Sequence, residues 1–256
     1  MSVLDSFRLE SRVALVTGGN RGLGRAIAEA LAEAGAAVAL TSREADRAEA
    51  SAKEIAETTG ARCLGLGLDV RDGSAVDSVV AKVLSELGGL HILVNNAGIN
   101  IREPIFELSD ESWESVIDTN LGGVMRCTRA AAEHLKAQGW GRVIIVGSIL
   151  GAVGLPQRVA YCSSKGGLLA MTRALALDFA PYNVTVNCLA PGPFKTEINR
   201  PILNDPEYLQ EFLRQVPLGR LGEPPELKGA AVFLASEASS FMTGGALYVD
   251  GGWTTQ

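Results

Sequence analysis

Val13-Ala14-Leu15-Val16-Thr17-Gly18-Gly19-Asn20-Arg21-Gly22-Leu23-Gly24 is the stretch whose reading decides the fold. The β-rich run Arg12–Thr17 feeds a glycine cluster. An alanine-rich helical pattern follows from Arg25 to Ala34, and Gly35 closes it. Strand, glycine turn and helix in that order make a phosphate cradle. Glycines let the backbone approach a pyrophosphate, and the helix N-terminus faces its charge. A glycine cluster alone would also suit an ordinary βα turn; the flanking strand and helix favour the cradle.

The same alternation continues down the chain. Strands are expected at Ala37–Thr41, Cys63–Leu68, His91–Val94, Arg142–Val146, Val184–Leu189 and Ala246–Val249. Helices are expected at Glu44–Thr58, Asp72–Leu87, Asp110–Ala137, Val159–Phe179 and Pro225–Ser236, with Asp72 as an N-cap. Apolar strands between amphipathic helices predict an α/β fold, a doubly wound parallel sheet of about seven strands with helices on both faces. No linker or repeat divides residues 1–256, so one domain is expected. The polar segment Phe194–Val216 interrupts the alternation and reads as a substrate lid over about 194–216. Ligands of such sheets bind outside the carboxyl ends of the strands. The Gly18–Gly24 loop, Ser42-Arg43, Asp69, Asn95–Gly98, Ser148 and Pro191-Gly192 all fall there.

Composition narrows the partners. The chain has 256 residues, 47% hydrophobic content and a formal net charge of -6, and no basic run exceeds two residues. That argues against nucleic acid or an anionic membrane surface. No secretory signal is visible at Met1–Arg8, and no apolar run approaches the ~20 residues of a membrane helix. The cysteines Cys63, Cys127, Cys162 and Cys188 form no C-x-x-C pair, and His91 and His134 are the only histidines. No metal site is expected, and the cysteines read as reduced thiols of a cytoplasmic protein.

Ala160-Tyr161-Cys162-Ser163-Ser164-Lys165 carries the chemistry. Tyr161 and Lys165 are four apart, which on a helix puts both on one face. A phenol titrates near pH ~10. An ammonium fixed beside it is expected to lower that value, so that the phenol exchanges a proton with an alcohol.

With these residues in place, the chain resembles the short-chain dehydrogenase/reductase family along its whole length, which implies a Rossmann-type fold. Thr17-Gly18-x-x-x-Gly22-x-Gly24 matches the family's cofactor motif and Asn95-Asn96-Ala97-Gly98 its strand-four motif. Asn120, Ser148, Tyr161 and Lys165 match its four catalytic positions; Pro191-Gly192 and Thr196 match the nicotinamide-side motif. Gly147 and Cys162 stand where serine is common. The resemblance implies that Tyr161 exchanges the proton, Ser148 steadies the substrate oxygen, Lys165 holds the nicotinamide ribose, and Asn120 organises a water relaying protons to Lys165. It also places Asn20, Leu23, Ala97 and Gly98 at the cofactor.

The cofactor is expected to be NADP (NADPH) rather than NAD. An acid after strand two would accept from a ribose 2′-hydroxyl; here Thr41-Ser42-Arg43 has none. Arg43 and Ser42 suit a 2′-phosphate, and Arg21 reaches the same phosphate from the glycine loop. Glu44 follows closely and softens the preference. Asp69 is expected at the adenine edge, with Val70 on its face. The substrate is less legible. Arg102, Arg158, Lys195 and Arg200 are candidates for meeting a carboxylate, with Arg102 first and Lys195 second. Leu150, Val153, Leu155 and Pro156 add apolar surface. Ile99–Pro104 and Pro193–Glu197 look like gluconate 5-dehydrogenases and related sugar-acid reductases. A 3-oxoacyl-(acyl-carrier-protein) reductase is the alternative, disfavoured because Glu133–Gln138 and Asp178–Tyr182 make a nearly neutral dock for an acidic carrier. Another ketone reductase and a non-catalytic dinucleotide sensor remain as further readings. Gly122-Gly123, Ala130–Ala132, Gly166-Gly167, Ala170 and Ala174 suggest close helix pairing. In the family these helices meet across a two-fold axis and Val249–Trp253 forms a second contact, so a homotetramer is expected.

Overall fold

The computed structural model describes residues 2–199 and 204–255. Seven parallel strands form one sheet in the order β3-β2-β1-β4-β5-β6-β7. They are β1 (Val13–Val16), β2 (Ala37–Ser42), β3 (Cys63–Gly67), β4 (Ile92–Asn95), β5 (Gly141–Val146), β6 (Val184–Pro191) and β7 (Ala246–Val249). The doubly wound parallel sheet read from the alternation is the fold.

The strands bury both faces, and the side-chain alternation of a strand sorts their residues into two cores. Ala14, Val16, Val38, Leu40, Ile92, Val94, Ile144 and Leu189 face one layer. Against them pack Ile27 and Leu31 of α1 (Gly22–Glu33), Ala48, Ala52 and Ile55 of α2 (Ala45–Thr59), and helix residues Ala231 and Leu234. Val13, Leu15, Ala39, Leu93, Val143, Ile145 and Val186 face the other. There they meet α3 (Gly73–Leu87), α5 (Gly123–Gln138) and α6 (Val159–Phe179). Ser109 and Asp72 accept from Ser112 N–H and Ala75 N–H and so start α4 (Asp110–Ile117) and α3.

Three elements differ from the sequence expectation. The single helix expected over Asp110–Ala137 breaks into α4 and α5 around a π turn at Asp118–Gly122. There Gly123 N–H donates to Asp118 O, and Arg126 ties the turn by donating to Asp118 O and Oδ1. Gly123 is required at this point: a Cβ would lie 2.6 Å from Val70 Cγ2. Gly167 likewise packs towards Leu121. Gly123 and Gly167, expected to serve helix pairing between chains, therefore pack within this one. The segment after β6 is not wholly irregular, for it contains α7 (Pro206–Leu213). The helix expected over Pro225–Ser236 begins as a 3₁₀ turn, Pro224–Leu227, and continues as α8 (Lys228–Ala235).

Candidate active site

The strand order reverses between β1 and β4, and the carboxyl ends of the strands open there into a cleft of about 630 Å³. Its first wall is the glycine loop. Gly18 and Gly22 adopt left-handed backbone (φ +63° and +55°). A Cβ at Gly24 would meet Asn96 Nδ2 and Gly18 O at 2.3 Å, so α1 starts hard against the turn. Thr17 Oγ1 accepts from the N–H groups of Asn96 and Ala97, while Asn96 Nδ2 donates to Thr17 O and Gly18 O. The β1 turn and the β4 exit are thus one rigid unit. Across the cleft, Thr196 faces Gly22, and a Cβ at Gly192 would lie 2.5 Å from Asp250 Cα.

One end of the cleft is cationic. Arg21, Arg43, Arg47 and Arg71 line it together with Ser42, Asp69 and Val70. β2 ends at Ser42 with no acid, and the Glu44 carboxylate turns to Arg47 at 2.9 Å. Arg21 pairs with Glu197 of the opposite wall. Arg71, which sequence reading missed, pairs with Asp69 at 2.6 Å and holds its carboxyl below the ordinary value. The repeat of acid and arginine in Asp69-Val70-Arg71 was the available signal. Asn20, Leu23, Ala97, Gly98, Pro191 and Thr196 also line the cleft. A glycine-rich cradle, a helix N-terminus and several cations suit a dinucleotide with an extra phosphate.

The other end is the chemical one. Ser148, Tyr161 and Lys165 line the cleft together. Lys165 is buried and its Nζ donates to Val146 O at 2.8 Å, 5.6 Å from the Tyr161 ring centre. The expected lowering of the tyrosine pKa by this lysine is not what the environment produces. Burial pushes the Tyr161 phenol up to about 12, against a lowering by Ser148 and Arg158, and burial pulls Lys165 down to about 8. Desolvation disfavours both charged forms and outweighs an ammonium engaged by a carbonyl. Ser148 Oγ accepts from Leu150 N–H and fixes the turn after β5. A Cβ at Gly147 would meet Cys188 Sγ at 2.5 Å, which explains a glycine there: the thiol of β6 fills that space.

Asn120 does not line the cleft. It is buried in the π turn, where its Oδ1 accepts from Ile99 N–H at 2.8 Å and its Nδ2 donates to Ile99 O at 2.9 Å and Ser164 Oγ at 3.1 Å. Ser164 in turn donates to Tyr161 O at 2.7 Å. Asn120 therefore ties the β4 exit to α6. Of the carboxylate candidates, Arg102 and the buried Arg158 line the cleft. Lys195 does not: it pairs with Glu223 and lines a neighbouring groove with Arg25 and Pro224. Arg200 lies outside the described residues. Leu150, Leu155 and Phe212 make an apolar wall backed by Val216, Leu221 and Trp253. Trp253 is buried and its ring packs tilted on Phe212, centres 4.7 Å apart, so it supports this wall. Among the described residues no three His, Cys, Asp or Glu side chains gather to hold a metal, and no helix is long and apolar enough to cross a membrane.

The arrangement has relatives. A family model described as enoyl-(acyl carrier protein) reductase matches residues 18–254. The 3-oxoacyl-(acyl-carrier-protein) reductase of Escherichia coli (strain K12) is 40% identical over 243 residues, 95% of this chain and 97% of that protein. The gluconate 5-dehydrogenase of Gluconobacter oxydans (strain 621H) is 38% identical over 254 residues, 99% of each. A crystal structure of a gluconate 5-dehydrogenase from Burkholderia cenocepacia J2315 in complex with NADP and tartrate superposes with a TM-score of 0.96 at 37% identity, over 100% of both chains.

Proposed function

The chain belongs to the short-chain dehydrogenase/reductase family and is an oxidoreductase of CH–OH groups, and from that premise we propose that it reversibly reduces the ketone of a sugar acid, such as 5-ketogluconate, with NADPH. The observation that carries the substrate class is that Arg102 and Arg158 line the same cleft as Ser148 and Tyr161. An open-chain sugar acid offers a carbonyl to the hydroxyl pair and a carboxylate to a guanidinium. The tartrate complex of the Burkholderia relative adds a polyhydroxy acid at a homologous fold.

Arg21, Ser42 and Arg43 would hold the 2′-phosphate of NADP, Gly18–Gly24 the pyrophosphate, and Asp69 and Val70 the adenine. Asn96, Ala97, Gly98, Pro191, Gly192 and Thr196 would hold the nicotinamide half. When bound, NADPH supplies the hydride to the carbonyl carbon. Tyr161, kept protonated by its raised pKa, gives its phenolic proton to the carbonyl oxygen. Ser148 hydrogen-bonds that oxygen as negative charge develops on it. Lys165, whose pKa burial lowers to about 8, would stabilise the phenolate left behind and hold the ribose hydroxyls. Asn120 keeps the β4 exit fixed to the helix that carries Tyr161 and Lys165. Phe194, Thr196, Glu197, Asn199 and Phe212 of the lid expected over about 194–216 line the cleft, and assembly as a homotetramer is part of the proposal.

Turnover of ketogluconates, acetoacetyl thioesters and neutral aryl ketones, each with NADPH, tests the reading. Ketogluconates should turn over fastest; a tenfold lead for either other class would overturn it. A 3-oxoacyl thioester is the second reading, and the apolar wall of Leu150, Leu155 and Phe212 favours it. The neutral dock inferred from the helix ends also omits Arg129 and Arg173, both exposed on α5 and α6.

A further inference from the structure

Ser163 and Ser164 follow Tyr161 and Cys162 on α6, and they differ: Ser163 is exposed, whereas Ser164 is wholly buried. The Ser164 hydroxyl has one proton and donates it to Tyr161 O at 2.7 Å. Such a bond back along a helix is ordinary. The second bond is not. Ser164 Oγ accepts from Asn120 Nδ2 at 3.1 Å, out of a π turn 44 residues away in the chain. Asn120 grips Ile99 by both backbone groups, and Ala97, Gly98 and Ile99 line the cleft. A chain of bonds thus runs Ile99–Asn120–Ser164–Tyr161, from the cofactor wall to the backbone of the proposed acid. Lys165, next along, donates to Val146 O of β5, the strand that leads to Ser148. The adjacent residues Ser164 and Lys165 therefore locate the turn of Tyr161 against two walls, one for the cofactor and one for the substrate oxygen.

We infer that Ser164 is a positioning residue, which holds Tyr161 in place against the cofactor wall through its bond to Asn120, so that hydride and proton reach the same carbonyl. The inference rests on Tyr161 as the proton donor and not on which ketone is reduced. Misplacing a reacting group by about 1 Å costs up to roughly 10²-fold in rate. Ser164→Ala cuts this link alone, because Asn120 keeps Ile99 by its other bonds.

With 5-ketogluconate and with acetoacetyl-CoA, each at saturating NADPH, Ser164→Ala should lower kcat by about 10- to 100-fold, with the ketone KM and the NADPH dissociation constant little changed. NADPH deuterated at both C4 positions should show a larger primary isotope effect on kcat in Ser164→Ala than in the wild type, since the chemical step then limits turnover; loss of folded protein alone would not move it. In an Asn120→Ala background the link is already cut, so Ser164→Ala should cost no further rate. Ser164→Cys, with a weaker hydrogen-bonding group, should lie between, and it carries the comparison where Ser164→Ala does not fold. A lower Tm with kcat and isotope effect unchanged overturns the inference, as do losses that add in full in the double variant. If Tyr161→Phe keeps its rate, the proposed chemistry falls and the inference with it; if Tyr161→Phe loses its rate and Ser164→Ala does not, the inference falls alone. Reduction of only one of the two ketones still decides the role of Ser164, and reduction of neither overturns both.

Discussion

Burial acts on Tyr161 and Lys165 in opposite charge senses, raising the phenol to about 12 and lowering the ammonium to about 8. The phenol thus carries its proton across the working range and is available as a donor. Lys165 is charged below about 8 and loses its charge as pH rises through that value. Ketone reduction should therefore hold level below about pH 8 and decline above it. A kcat profile unchanged to pH 10 would remove Lys165 from the step. Tyr161→Phe should lower kcat by about 10²- to 10⁴-fold, the usual contribution of a positioned acid, with NADPH binding nearly intact. At the far end of the cleft, Arg43→Asp replaces a cation by an anion beside the place for a 2′-phosphate. Loss of one charge-assisted contact of roughly 1.5–3 kcal/mol predicts NADPH binding weakened by about 10- to 150-fold, with NADH little changed. Equal losses for the two cofactors, read by fluorescence titration, would defeat the assignment.

The π turn between α4 and α5 shows how an element carries a site. Its extra residue turns Asn120 inward to Ile99 and Ser164, and it brings Gly123 against Val70 at the floor of the cofactor cleft. Gly123→Ala would put a methyl 2.6 Å from Val70 Cγ2. Such overpacking typically costs ~1–3 kcal/mol, and Val70 lines the cleft. A fall in Tm together with weaker NADPH binding is the expected pair of results; a fall in Tm alone would mean that Val70 does not touch the cofactor. This element also marks where the sequence stops being readable. Strands such as Val143–Val146 are legible because every residue is buried, and the glycine loop because strand and helix bracket it. The π turn is silent because the helical apolar pattern runs through it unbroken. Asn120 could be singled out only by resemblance, since its partners lie 21 and 44 residues away. The pairs Arg21–Glu197 and Lys195–Glu223 join segments that only the fold brings together, which is why Lys195 was misplaced.

At the scale of the molecule, the sheet gathers every chemical group at one edge and leaves the outer helices to other work. The small residues of α5 and α6 divide by face. Gly123, Gly167 and Ala131 turn inward, whereas Ala170 and Ala174 are exposed beside Leu177, which is 77% exposed. The loop carrying Phe241, itself fully exposed, packs against α6, for a Cβ at Gly244 would lie 3.4 Å from Ala176 Cβ. Exposed apolar side chains gathered around one helix mark an interaction surface, and a flat helix face of small residues suits a two-fold axis. Trp113 and Met125 add a further half-exposed apolar pair on α4 and α5. Sedimentation equilibrium of the wild type at micromolar concentration should give four times the 26.9 kDa chain mass. Ala174→Arg places a long cation on the exposed face and touches no buried contact, so it should split the assembly while leaving the far-ultraviolet circular dichroism unchanged. A wild-type monomer would reject the tetramer outright. A tetramer indifferent to Ala174→Arg would move its interface away from α6 and leave Leu177 and Phe241 as solvent-facing residues.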